Sequence, residues 1–193
     1  MITLKNKRLF IAAELPPAAR GAVYQQGARI LRNFTDARPV KAANIHITLK
    51  FLGNILYDNI DLISDAISSA ASSFNNFSFE INGEMDAFPD KKRARTVFSA
   101  IGEGKLEFKL LYLGLEESLG RACGRSGVKA APDDFIAHIT IARLRRPGDI
   151  TYSIKKAGTI RPIRIACRKI ALFESVLDHS GARYTKLREF SLK

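Results

Sequence analysis

Residues 45–53 read IHITLKFLG, and residues 137–144 read AHITIARL. Each stretch carries His-x-Thr followed by an aliphatic residue: His46 and Thr48 in the first, His138 and Thr140 in the second. Ile, Leu, Thr and Phe dominate the segments, which predicts strands. In a strand, residues i and i+2 project to one face. Each strand therefore offers an imidazole and a hydroxyl side by side. Ile45, Ile47 and Leu49 on one strand, and Ala137, Ile139 and Ile141 on the other, turn the opposite way toward a core.

The chain has three histidines and eight threonines in 193 residues. A given His then meets Thr at +2 by chance in roughly 4% of cases, and two hits among three histidines come to about half a percent. The duplication is therefore the signal, where one motif alone would be weak. Two imidazoles that titrate near neutral pH are what acid–base cleavage of a phosphodiester requires. The third histidine, His179, stands in a predicted loop with no motif around it and reads as a surface residue.

The length and the 46% hydrophobic content fit a globular chain with a sizeable core, read as one domain over 1–193. No apolar run approaches the roughly 20 residues needed to cross a bilayer. MITLKNKRLFIAAEL at the start resembles a weak leader, but its apolar stretch Leu9–Ala13 is short and reads better as a first strand, so a cytoplasmic location is expected. Cys123 and Cys167 do not make a disulfide framework. They read first as two small buried or partly buried thiols; a zinc site built from them with His46 and His138 stays open but lacks the ligand spacing of known motifs, and no metal and no cofactor is expected.

The net charge of +12 points to a polyanionic partner, with nucleic acid first. Basic residues cluster at Lys91, Lys92, Arg93 and Arg95; at Arg143, Arg145 and Arg146; at Arg161, Arg164, Arg168 and Lys169; and at Arg183, Lys186 and Arg188. Any one cluster reads as a solvated face. Arg143 differs, because it follows His138 by five residues and its guanidinium could fork onto a phosphate held between the histidines.

Strands and helices alternate along the chain. Strands are predicted over 8–15, 45–53, 77–88, 95–101, 135–144, 163–174 and 183–192. Helices are predicted over 18–34, 58–73, 105–123 and 149–157, the third with Leu106, Leu110, Leu113 and Leu119 among its apolar positions. The segment 124–132 reads as a loop. The motif histidines lie 92 residues apart, and each half of the chain has a strand, a helix and a motif strand in that order. No flexible linker separates the halves, which predicts two lobes whose motif strands can face each other across a cleft.

The two His-x-Thr strands, half a chain apart in about 190 residues, resemble the two-histidine (2H) phosphoesterases, and most nearly the bacterial and archaeal RNA 2′,3′-cyclic phosphodiesterases, also called 2′-5′ RNA ligases. The resemblance extends to RLFIAAELP at 8–16, NIHITLKFLG at 44–53, AFP at 87–89, FIAHITIARLRR at 135–146, LFES at 172–175 and RYTKL at 183–187. The family often has Trp shortly before the first motif, where this chain has Arg38-Pro39-Val40-Lys41, and Pro before the second His, where Ala137 stands.

The resemblance implies an α+β, bilobal fold: two mainly antiparallel sheets with outer helices, related by a pseudo-two-fold axis, with the catalytic cleft between lobes. It implies His46 as general acid, His138 as general base, Thr48 and Thr140 on the non-bridging phosphate oxygens, and Arg143 binding phosphate. The implied reaction is metal-free hydrolysis of RNA 2′,3′-cyclic ends, including ends of tRNA origin, to 2′-phosphomonoesters by a monomer. The same site run backwards would ligate.

Residue chemistry agrees. One neutral imidazole takes a proton from water, a protonated one opposite supplies the leaving oxygen, and hydroxyls with an Arg stabilise the equatorial oxygens. Two other readings stand beside this one: an RNA-binding module without chemistry, and a related enzyme acting on 2′-5′ oligonucleotides or small cyclic nucleotides. Phe10, Phe51, Phe88 and Tyr184 could stack on a base but are expected to pack in the core. Of these, Phe88 is the least core-like.

Overall fold

A computed structural model of the chain describes residues 6–32, 34, 37–123, 135–179 and 181–193. The predicted 124–132 loop lies outside the described residues. Among those described, nine strands and four helices follow one another as β1 (Asn6–Glu14), α1 (Pro17–Leu31), β2 (Ala37–Pro39), β3 (His46–Leu56), α2 (Ile60–Ser72), β4 (Phe77–Phe88), β5 (Ala94–Ile101), α3 (Lys105–Cys123), β6 (His138–Gly148), α4 (Thr151–Ala157), β7 (Ile163–Cys167), β8 (Lys169–Asp178) and β9 (Gly181–Ser191).

Every pairing among these strands is antiparallel, in the order β7-β4-β5-β6-β3-β1-β8-β9. The two expected sheets are the four strands on either side of the β3–β6 junction. They meet there through the register pair Ile47–Ile139, so they hydrogen-bond as one continuous sheet. On each side the motif strand lies against an earlier strand of its own half, β1 beside β3 and β5 beside β6, with α1 and the short β2 in the first connection and α3 in the second. This is the repeat that the sequence halves foretold.

Helices cover one face of the sheet. The main core there joins Val23 and Ile30 of α1, Ile63 and Ile67 of α2, and Phe108, Leu111 and Leu115 of α3 to Ile47, Leu49, Ile139 and Ile141 of the motif strands. Pro17 opens α1, where its missing N–H costs nothing. Gly27 lets that helix lie directly on β6: a Cβ there would sit 3.0 Å from Cδ1 of Ile141. The other face is open and carries a small cluster of Phe10, Ala12, Ala171 and Phe173, edged by Tyr184.

Three expectations change. The helix α3 buries Phe108, Leu111, Leu115 and Leu119, whereas Leu106, Leu110 and Leu113 are exposed; its two apolar stripes are both at helical spacing, and packing against α2 selects the one with the aromatic residue. The predicted 163–174 strand is two strands, broken at Arg168, because β7 joins β4 and β8 joins β1 at opposite ends of the sheet. The short β2 was not foreseen; it pairs with β6 beyond the point where β3 diverges.

Candidate active site

The open face is built around the Ile47–Ile139 pair. Both isoleucines point into the core, so their neighbours His46, Thr48, His138 and Thr140 point out together. Antiparallel register then sets His46 opposite Thr140 and Thr48 opposite His138. Each imidazole faces the other motif's hydroxyl, and the four side chains form a square with local two-fold symmetry.

Just past each threonine the register shifts by one residue. Thr48 and Lys50 face the consecutive residues Ala12 and Ile11, leaving Leu49 extra on β3; Thr140 and Ala142 face Phe98 and Val97, leaving Ile141 extra on β6. A bulge of this kind reverses the strand's facing. The fifth residue after each histidine, which strict alternation would send to the core, returns to the open face. On β6 that residue is Arg143; on β3 it is Phe51. Lys50 and Ala142 turn inward instead and are buried. The two motif strands share the same order of buried and exposed positions over their first nine residues.

Lys50 has an ion-pair partner in Glu116 of α3, which ties the β3 half of the sheet to the helix of the other half. Phe51 is 60% exposed, so the expectation that it packs in the core fails, and the bulge is the reason. Phe10 is buried as expected, with its ring 5.0 Å from that of His46; the half-buried Tyr184 meets the same imidazole edge-on at 5.4 Å. Phe88 and Phe98 flank His138, each at 5.1 Å between ring centroids. Beside them opens a groove of about 1030 Å³, lined in part by Lys91, Lys92 and Arg93.

Backbone carbonyls orient both rings. Nδ1 of His46 donates to the Asn44 carbonyl at 2.7 Å, and Nδ1 of His138 donates to the Ile136 carbonyl at 2.7 Å. A carbonyl can only accept, so Nδ1 carries the hydrogen and Nε2 of the neutral ring holds a lone pair on the open face. Nε2 of His46 lies 2.9 Å from Oγ1 of Thr48. The neutral ring accepts the threonine hydroxyl hydrogen, and the protonated ring donates to the threonine oxygen.

Burial holds the His46 pKa down, to about 4, with the positive charges of His138 and Arg143 adding to the effect against the raising influence of the Asn44 carbonyl and Glu14. Burial first, and Arg143 second, also lower His138. Both rings are therefore neutral in the free protein near pH 7. Glu14 lies opposite His46 on β1 and is ion-paired with Lys186 of β9.

Sequence reasoning missed two neighbours of Arg143. Thr96 of β5 accepts a hydrogen bond from its guanidinium at 3.1 Å, and Arg38 of β2 lies directly opposite it. A three-residue strand with a proline carries too little pattern to be read from sequence. The cysteines do not join the histidines: Cys167 lies on β7, three strands from β6, with its thiol pushed up to about 12 by burial, and the Cys123 side chain is outside what is described. His179 is exposed at the β8–β9 turn. Among the described residues no group of His, Cys, Asp or Glu could hold a metal ion, and no helix is long and apolar enough to cross a membrane.

Several known proteins are similar to this chain over most of its length. An RNA 2′,3′-cyclic phosphodiesterase of Thermus thermophilus is 30% identical over 96% of this chain and 90% of its own. One from Archaeoglobus fulgidus is 28% identical over 95% and 99%. Among solved structures, the protein TT0787 of Thermus thermophilus superposes with a TM-score of 0.78 at 26% identity, covering 96% of this chain and 97% of its own. LigT of E. coli complexed with 3′-AMP has the same fold, with a TM-score of 0.71 at 24% identity over 98% and 99%. The LigT-like phosphoesterase family profile matches residues 14–98 and 113–184, both motif strands included, and the chain belongs to that family.

Proposed function

We propose that this chain hydrolyses the 2′,3′-cyclic phosphate at the end of an RNA strand to a 2′-phosphomonoester, using His46 and His138 as paired acid and base. The observation that carries the reading is the square on the open face, where each imidazole lies across from the other motif's threonine. Phosphorus in such a square has a ring nitrogen on two opposite sides and hydroxyls between them. That is the arrangement an in-line displacement needs.

His138 is the base. Its Nε2 has no hydrogen bond within the described residues, and the lowered pKa keeps it neutral and ready to take a proton. Water attacks phosphorus, the bond from phosphorus to the 3′-oxygen breaks, and imidazolium His46 delivers its Nε2 proton to that oxygen. Free His46 is neutral near pH 7, so the bound phosphate anion must raise its pKa for this role. Thr48, Thr140 and Arg143 donate to the equatorial oxygens, where charge develops. The net charge of +12 favours an RNA strand over a small cyclic nucleotide.

The test is a short RNA ending in 2′,3′-cyclic phosphate, incubated with the protein in EDTA and followed by ³¹P NMR. The expected outcome is conversion to the 2′-phosphate, with His46→Ala and His138→Ala each slower by about 10²–10⁴-fold or more. Full activity in either variant would remove the two-histidine assignment. Binding without conversion would leave an RNA-binding module.

A further inference from the structure

Arg38 and Arg143 are direct cross-strand partners on β2 and β6, and both are exposed. Residues paired in this way share a face, so Arg38 stands on the open face beside the site and in line with Thr96 and Arg143. Like charges directly opposite on a sheet destabilise it. A carboxylate between them would relieve that repulsion, but none does so among the described residues. Arg143 is held by the Thr96 hydroxyl, and Arg38 has no ion pair among those residues. Two guanidiniums side by side, with no carboxylate against Arg38 among the described residues, suit an anion that arrives from outside.

The position says which anion. The row formed by Thr96, Arg143 and Arg38 lies one step along the strands from the row formed by Phe98, Thr140 and His46. Two strand residues span roughly 6.6–6.8 Å. Arg143 is near enough to the imidazoles for its charge to lower both, whereas Arg38 is not among the charges acting on His138. Arg143 and Arg38 therefore stand side by side, one row away from the reacting phosphate.

We propose that Arg38, together with Arg143, clamps a second phosphate of the substrate: the internucleotide phosphodiester next to the terminal one. The inference rests on the RNA reading of the site and sharpens it. The minimal good ligand is a dinucleotide with a terminal phosphate, and the mononucleotide forfeits the contact with Arg38. Arg38 determines substrate length and takes no part in proton transfer.

The test is calorimetric titration of the full chain, at one ionic strength, with two non-reacting probes. One is a dinucleotide bearing a terminal 2′-phosphate; the other is the matching nucleoside 2′-monophosphate. Wild type is expected to favour the dinucleotide by about tenfold, the scale of charge-assisted hydrogen bonds. Arg38→Gln should erase that preference and leave mononucleotide affinity within about twofold, as for independent contacts. Arg38→Lys should retain only part of the preference, since it keeps the charge and loses the fork.

An unchanged preference in Arg38→Gln, or equal losses on both probes, would overturn the clamp. Turnover of cyclic ends is assayed separately. No turnover alongside an Arg38-dependent preference sinks the hydrolysis reading and upholds the clamp; turnover without the preference sinks the clamp alone.

Discussion

Ile47 of β3 and Ile139 of β6 are direct cross-strand partners, and both are fully buried. They form the joint between the halves of the sheet, and every motif His and Thr is one residue from one of them. Truncation to Ala at either position should cost about 2–5 kcal/mol, and to Val about 0.5–1.5 kcal/mol. Urea unfolding measures that cost. An equally destabilising change at Leu115, buried on α3, gives the comparison. Cleavage should fall further in Ile139→Ala than in Leu115→Ala, because only the first loosens the spacing of the imidazoles. Equal losses would show that the joint matters for stability alone.

The free protein should show His46 titrating near pH 4 and His138 below the ordinary imidazole range, by proton NMR of the ring carbons. Saturating inorganic phosphate should move both upward, since an anion between the rings favours their charged forms. If His46 stays near 4 in the phosphate complex while His138 rises, the acid and base roles are reversed.

The same shift couples to folding. The His46 pKa is lower in the folded state than the unfolded value of 6.5, so the unfolded chain binds more protons between pH 6.5 and about 4. Stability is unaffected by this group above pH 6.5 and falls as pH drops through that window. The loss is on the order of 3 kcal/mol. Urea midpoints at pH 7 and pH 4 should therefore differ more in wild type than in His46→Ala. Identical differences would mean that the ring is solvated in solution.

Lys50 and Glu116 predict a non-additive pair. The Lys50 side chain is almost wholly buried, and Glu116 is partly so. Lys50→Met takes the cation from a carboxylate that water partly reaches, at a cost of about 1–3 kcal/mol. Lys50→Met with Glu116→Leu should recover much of that cost, as replacement of a buried pair by apolar groups often does. A double-mutant cycle reads the coupling; additive losses would show that the two charges do not depend on each other.

Arg143→Ala should lower kcat/KM by roughly 10–100-fold, the worth of a charge-assisted hydrogen bond. Thr96→Val should lower it less, acting only by releasing the guanidinium, and should change nothing once Arg143 is already Ala. A Thr96→Val effect that persists in the Arg143→Ala background would give Thr96 a role of its own.

Much of this was legible in the sequence where local pattern and packing agree. Phe77–Phe88 alternates along its length, and the strand has those limits. The four motif side chains share a face because strand alternation holds from His46 to Thr48 and from His138 to Thr140. Two residues past each threonine it fails, and a bulge leaves no mark in composition. Lys50 is inside and Phe51 outside for that reason alone. Arg38 escaped notice because its place depends on β6, more than a hundred residues away. The exposed leucines of α3 show the converse limit: spacing identifies an apolar stripe, and only the partner helix decides which of two is covered.

Phe51 and Arg143 occupy equivalent positions after the two bulges, one apolar and one cationic. A cleft with identical halves would accept a five-membered cyclic phosphate in two orientations and open either of its ester bonds with equal ease. Placing a cation at one corner and an aromatic ring at the other removes that degeneracy. On the reading proposed above, this mismatched pair of positions helps to write the regiochemistry of ring opening, alongside the unequal surroundings of the two histidines.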